Sequence, residues 1–243
     1  MKAVWAVLAC VLGLSLGTAD AACRQALALG LDVSGSVDAV EYRLQLDGLA
    51  QALSDAQVQE AFLQFPQAPV RLMVFEWSGL YHQRELIGWS EITGPAELNA
   101  IAATLRATGS VKINDPSTAV GAAMLFGADA LARQECWQRT LDISGDGPAN
   151  IGAHPGDISD QRLGQITVNA LVIGPQNRSN TSKNLENVKS LESYFRSFIM
   201  RGPGAFAEVA VDHADFAQAM KRKLIKELDA PVLSRRGPAP SRG

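Results

Sequence analysis

The sequence is poor in the residue types on which most metal-redox and nucleophilic enzymes depend. It holds three cysteines and three histidines in 243 residues. His82, His154 and His213 stand far apart, so there is no His-x-x-x-His pair to seat a zinc ion on one helix. A phosphate-binding loop, a dinucleotide fingerprint and a Gly-x-Ser-x-Gly elbow are all missing. Charge is scarce too: 19% of residues are Asp, Glu, Lys or Arg, and the formal net charge is -3. That balance excludes a general nucleic-acid binder. Beyond the N-terminal segment no apolar stretch is long enough to cross a bilayer, so no stable membrane insertion is expected.

Residues 1–22 read as a secretory signal peptide. Lys2 gives the positive start, Ala3 to Gly17 the apolar core, and Ala19-Asp20-Ala21 a small-residue cleavage site. The mature chain is therefore expected to be periplasmic or secreted. About 220 residues remain, enough for one sizeable core without a second domain. The domain is placed at 23–229, and the tail 230–243, rich in Arg, Pro and Gly, reads as disordered. Loss of the leader removes Cys10 and leaves Cys23 and Cys136, which an oxidising compartment would join.

Ala26 to Leu31 is a short run, apolar on both faces, and reads as a buried parallel strand. Asp38-Ala-Val-Glu41 has capping-box spacing and opens a helix to about Ser54. Val70 to Trp77 is a second strand, which Ser78-Gly79 turns into a hairpin with Tyr81 to Trp89. Next come a helix from Pro95 to about Arg106, an Ala- and Gly-rich helix from Thr118, and a strand from Arg139 to Ser144. A loop to about Ser159 and a short helix lead to the strand Ile166–Ile173 and the helix Leu185–Met200. The strand Ala205–Val211 and a helix from about Ala214 to Leu228 close the domain. Strands alternating with helices predict an α/β fold: a doubly wound, mostly parallel sheet with one antiparallel edge strand and helices on both faces.

The first strand ends in Asp32-Val-Ser-Gly-Ser36. At the C-terminal mouth of a parallel strand, where open α/β sheets bind ligands, a carboxylate and two hydroxyls would converge as the chain turns. Such oxygen donors suit a hard divalent cation, Mg²⁺ first, with Mn²⁺ or Ca²⁺ also compatible. Following the chain up and down through its elements puts Thr118 and Asp146 at the same rim. Asp32, Ser34, Ser36, Thr118 and Asp146 are thus the candidate metal set, drawn from three segments. Singly, Ser36 and Thr118 also fit as helix caps and Asp146 as a turn residue. Their meeting is what points to a metal. Asp142, in mid-strand, reads as structural.

Asp32-Val-Ser-Gly-Ser36, the isolated Thr118 and Gly145-Asp146-Gly147 resemble the metal-ion-dependent adhesion site of von Willebrand factor type A domains. The likeness covers nearly all of residues 23–229. The wording Asp-Val-Ser-Gly-Ser-Val-Asp with Ile-Ser-Gly-Asp-Gly-Pro is also similar to a bacterial family of exported type A proteins of unknown function. Where the wider superfamily often carries glycine before the threonine, this chain has Asp115-Pro116-Ser117. The resemblance implies that Ser34 and Ser36 bind the cation directly, with Thr118 as a third, conditional ligand. Asp32 and Asp146 would hold coordinated water or bind directly. It further implies an open position for an Asp or Glu carboxylate of a protein partner, with Asp115 and His154 in the rim loops that set specificity.

Cys23 lies nine residues before Asp32, and Cys136 lies ten before Asp146. If those two strands are neighbours that end level at the rim, the cysteines are level at the other end and a Cys23–Cys136 disulfide is within reach. Two rival functions stay open on sequence alone. One is a metal-dependent hydrolase in which His154 acts as base toward metal-bound water. The other is a scaffold whose metal only steadies the loops.

Overall fold

The computed structural model describes residues 23–109, 115–175 and 181–229, without the side chains of 181–184. The leader expected at 1–22 and the tail expected at 230–243 lie outside these residues. Strands β1 (Cys23–Asp32), β2 (Val70–Trp77), β3 (Gln83–Ile92), β4 (Cys136–Gly145), β5 (Thr167–Ile173) and β6 (Ala207–Ala210) form one sheet in the order β3-β2-β1-β4-β5-β6. Every neighbouring pair is parallel except β2–β3, the hairpin at one edge. Helices α1 (Ala39–Leu53), α2 (Ala56–Leu63), α3 (Pro95–Ala107) and α7 (Phe216–Leu228) cover one face. On the other lie α4 (Val120–Leu131), α5 (Asp160–Leu163) and α6 (Thr181–Phe198). The doubly wound α/β fold expected from the alternation is the one observed.

All of β1 is buried, yet its side chains still alternate. Leu27, Leu29 and Leu31 enter the core beneath α1 and α7, while Ala26 and Ala28 enter the core beneath α4. Small residues on that second side let α4 come close. A Cβ on Gly127 would run into Leu141 of β4, so the Ala- and Gly-rich composition of α4 is a packing requirement. Cys23 faces Cys136 across the β1–β4 ladder and the two are joined, with Cα atoms 4.6 Å apart. The bridge spans a sequence separation of 113. A loop of that order is worth about 4–5 kcal/mol in the chain-entropy account.

Several element boundaries differ from expectation, each for a local reason. Asp55, just past α1, caps the additional helix α2 by accepting the Gln57 N–H, and it pairs with Lys221 of α7 at 2.8 Å. At eight residues, α2 carries a single apolar repeat, Val58 with Ala61 and Phe62, too little to mark a helix in the sequence. β4 starts at Cys136 rather than near Arg139, because its first residues pair with β1. α4 starts at Val120 rather than Thr118. The Thr118 N–H donates to Asn150 Oδ1 at 2.8 Å and its carbonyl accepts the Asn150 N–H at 3.0 Å, so both backbone groups are taken before the helix begins. β6 is shorter than expected, and a 3-10 turn at His213–Asp215 precedes α7.

Candidate metal centre

At the end of β1, Asp32 Oδ1 accepts the Ser34 N–H at 2.8 Å. This folds the turn back on itself and leaves Ser34 Oγ and Ser36 Oγ 3.2 Å apart. The Ser36 hydroxyl donates to Asp146 Oδ1 at 2.6 Å, across from the end of β4. Because β1 and β4 are sheet neighbours, Asp32, Ser34, Ser36 and Asp146 form one cluster. Gln45 of α1 braces it from behind, its Nε2 donating to the Asp32 carbonyl at 2.9 Å.

Thr118 arrives with the third segment. The Gly35 N–H donates to the Pro116 carbonyl at 2.7 Å and docks residues 115–118 on the serine turn. Just past β2, the Ser78 carbonyl accepts the Ala119 N–H at 2.8 Å and the Ser78 hydroxyl donates to the Asp115 carbonyl at 3.0 Å. Thr118 itself is buried, with its hydroxyl 3.5 Å from Asn150 Nδ2. Asp115 shapes this loop: its carboxylate covers Gly79, where any Cβ would overlap it, and it accepts the Ser117 N–H at 3.1 Å. Hydrogen bonds from Ser117 hold that carboxyl below the usual range. Between the Pro95 helix and Thr118, the structure describes the connecting stretch only on either side of 110–114.

His154 is exposed, and its described contacts lie on the α6 face. Its ring packs edge-on against Phe198 at 4.8 Å and Tyr194 at 6.0 Å, and Nδ1 accepts the Gly156 N–H at 3.1 Å. Asn150 and the Pro116 carbonyl, which seat Thr118, were not singled out from the sequence. Asn150 uses its side-chain Oδ1 and its backbone N–H on Thr118, Pro116 only its carbonyl, and nothing in spacing marks either role.

The electrostatics of Asp32 set the chemistry of the rim. The residue is fully buried, and burial first and the Asp146 charge second push its pKa up to about 7. Groups on Ser34 and Asp146 pull the other way without offsetting this. Asp32 Oδ2 makes no hydrogen bond. A buried carboxylate oxygen without a donor or countercharge is costly, and a dication among these oxygens would relieve it. Among the described residues no three His, Cys, Asp or Glu side chains group to hold a metal. The rim offers two carboxylates and neutral hydroxyls instead, a donor set that fits a hard cation.

The fold recurs in solved structures at low sequence identity. Proximal thread matrix protein 1 (PTMP1) from the mussel byssus aligns with 86% of this chain and 48% of its own length, at 14% identity and a TM-score of 0.54. One PTMP1 structure is described as having a zinc-occupied MIDAS motif. A mutant of the PilB minor pilin from Streptococcus sanguinis covers 87% of this chain and 64% of its own, at 12% identity and a TM-score of 0.52. An aerotolerance-related membrane protein from Bacteroides fragilis covers 83% of this chain and 98% of its own, at 15% identity and a TM-score of 0.52. This chain thus spans about half of the PTMP1 chain and nearly all of the Bacteroides one. No curated protein matches it. The family model described as "Protein of unknown function (DUF1194)" matches residues 22–232. On that match the chain belongs to the DUF1194 family, built on a von Willebrand factor type A-like fold.

Proposed function

We infer that the protein is an exported binding module, not an enzyme, which captures a protein partner through a divalent cation at the C-terminal rim of the sheet. Asp32, Ser34, Ser36, Thr118 and Asp146 hold the cation, with Mg²⁺ the best match to an all-oxygen donor set. The observation that carries this reading is the orphaned, buried Asp32 Oδ2 beside two serine hydroxyls and a second carboxylate. When bound, the cation supplies an electrophilic coordination position. Ser34, Ser36 and Thr118 are neutral and leave its charge largely intact, while Asp32 and Asp146 offset enough of it to hold it. An Asp or Glu carboxylate of the partner takes the open position.

The surroundings of the rim favour a macromolecular partner. Val40, Tyr81, Ile151 and Val211 are exposed, and each lies in a segment that leaves the rim end of the sheet. Export is supported by the leader read at 1–22 and by the Cys23–Cys136 bridge. His154, occupied with Tyr194 and Phe198, is poorly placed to serve a hydrolase. Titration calorimetry with MgCl₂ and MnCl₂ is the test. One site per chain is expected, lost in Asp146→Ala, together with chelator-sensitive capture of an exported protein. No heat from either ion overturns the proposal, and metal uptake without metal-dependent capture reduces it to a scaffold.

A further inference from the structure

The end of the sheet opposite the rim contains a notch. β4 pairs with β5 only from Thr140, opposite Thr167, whereas it pairs with β1 from Cys136 onward. Cys136–Arg139 is therefore strand with a neighbour on one side only. On the other side the chain turns at Gly164, φ +73, as it leaves α5, and residues 164–166 do not pair in the ladder with β4. A groove of about 1220 Å³ opens here, between the start of β4, residues 160–167 and the Arg201–Pro203 turn.

Two side chains on one face of the open strand are left for a ligand. Trp137 is 59% exposed, an unusual state for an indole. Arg139, two residues on and so on the same side of the strand, lines the groove and makes no hydrogen bond or ion pair with the described residues. Arg201, in contrast, is committed: it donates to the Pro155 carbonyl at 3.1 Å and lies 3.4 Å from Asp160.

We propose that this notch is a second binding site, for an extended peptide segment of a partner chain that adds as a short strand along Cys136–Arg139, an apolar side chain resting on Trp137 and an Asp or Glu two residues away pairing with Arg139. What the strand lacks is a backbone partner, so the occupant is a polypeptide, and strand addition is the mode in which main-chain bonds hold it. Alternate residues of an added strand share a face, which fixes the two-residue spacing. The free guanidinium selects an acid. The chain's own tail carries Arg235, Arg236 and Arg242, the wrong sign for Arg139. The site is independent of the rim metal.

The test is a phage-displayed octapeptide library panned on the full chain with EDTA present. Enriched peptides are expected to carry Asp or Glu two positions from an aliphatic or aromatic residue. The matching synthetic peptide should slow amide exchange at 136–139 and lose binding when proline replaces its central residue. Arg139→Glu is expected to weaken it by about tenfold or more, the effect of one lost charged pair. Panning on that variant should then select Lys or Arg in place of the acid. Should Arg139→Glu fold poorly, Arg139→Gln must show the same loss of acidic preference. Absence of enrichment, equal binding to the Arg139 variants, or protection elsewhere overturns the proposal. So does a Trp137-dependent dimer in sedimentation velocity, which would assign the notch to a second copy of the chain.

Discussion

Asp32 and Asp142 lie on adjacent strands of one sheet, both are at most 2% exposed, and burial raises the pKa of each. They differ in what faces them. Lys223 of α7 places its Nζ 2.7 Å from Asp142 Oδ2 and 3.2 Å from Glu227 Oε2, and Asn169 donates to the other Glu227 oxygen at 2.9 Å. The two carboxylates in turn hold the Lys223 pKa up against its burial. One oxygen of each aspartate, Asp32 Oδ2 and Asp142 Oδ1, has neither a hydrogen bond nor an ion pair among the described residues, but Asp32 faces Asp146, a second anion, and no cation. In mid-sheet the fold supplies its own cation, and the carboxylate is structural. At the rim it gathers anions and hydroxyls, and the cation has to come from outside.

The severest challenge to that contrast is Lys223→Met. It leaves Asp142 and Glu227 buried without a countercharge, and a loss of about 3–5 kcal/mol in urea unfolding is expected. Asp32→Asn, measured without metal, should cost nothing or stabilise. Equal losses in the two variants would end the distinction.

The pH dependence of stability sharpens it. The Asp32 pKa is about 7 in the folded chain, above the ~3.9 of an unfolded aspartate. Its contribution is therefore fully present below about pH 4 and is lost as pH rises through 7. The metal-free wild type should lose roughly 2–4 kcal/mol relative to Asp32→Asn between pH 4 and 8. Saturating Mg²⁺ or Mn²⁺ should remove that difference.

Two smaller effects bound the rim. Ser36→Ala removes the donor to Asp146 and should cut metal affinity about tenfold or more in calorimetry. Its effect on unfolding is expected to stay near 1 kcal/mol. His154→Ala loses ring contacts with Phe198 and Tyr194 and should cost under about 1 kcal/mol, with metal uptake unchanged. Turnover of a phosphoester or peptide that disappears with His154→Ala would restore the hydrolase reading.

The sequence alone determined the doubly wound sheet, its antiparallel edge and the pairing of Cys23 with Cys136. These follow from apolar periodicity, turn residues and strand lengths, all of which are local. It also named Asp32, Ser34, Ser36 and Asp146, because chain direction through alternating strands and helices dictates which strand ends share a rim. Only the tertiary structure decided the partners. Lys223 sits one residue from Leu224 on the buried face of α7, and no spacing reveals that Asp142 waits there for its charge. Asn150 reaches Thr118, and Pro116 reaches Gly35, through contacts between segments far apart in sequence. The notch beside Cys136–Arg139 exists because β5 starts four residues late against β4. Where one strand starts against its neighbour depends on how the preceding helix and turn pack on the sheet, which the strand's own apolar pattern does not record.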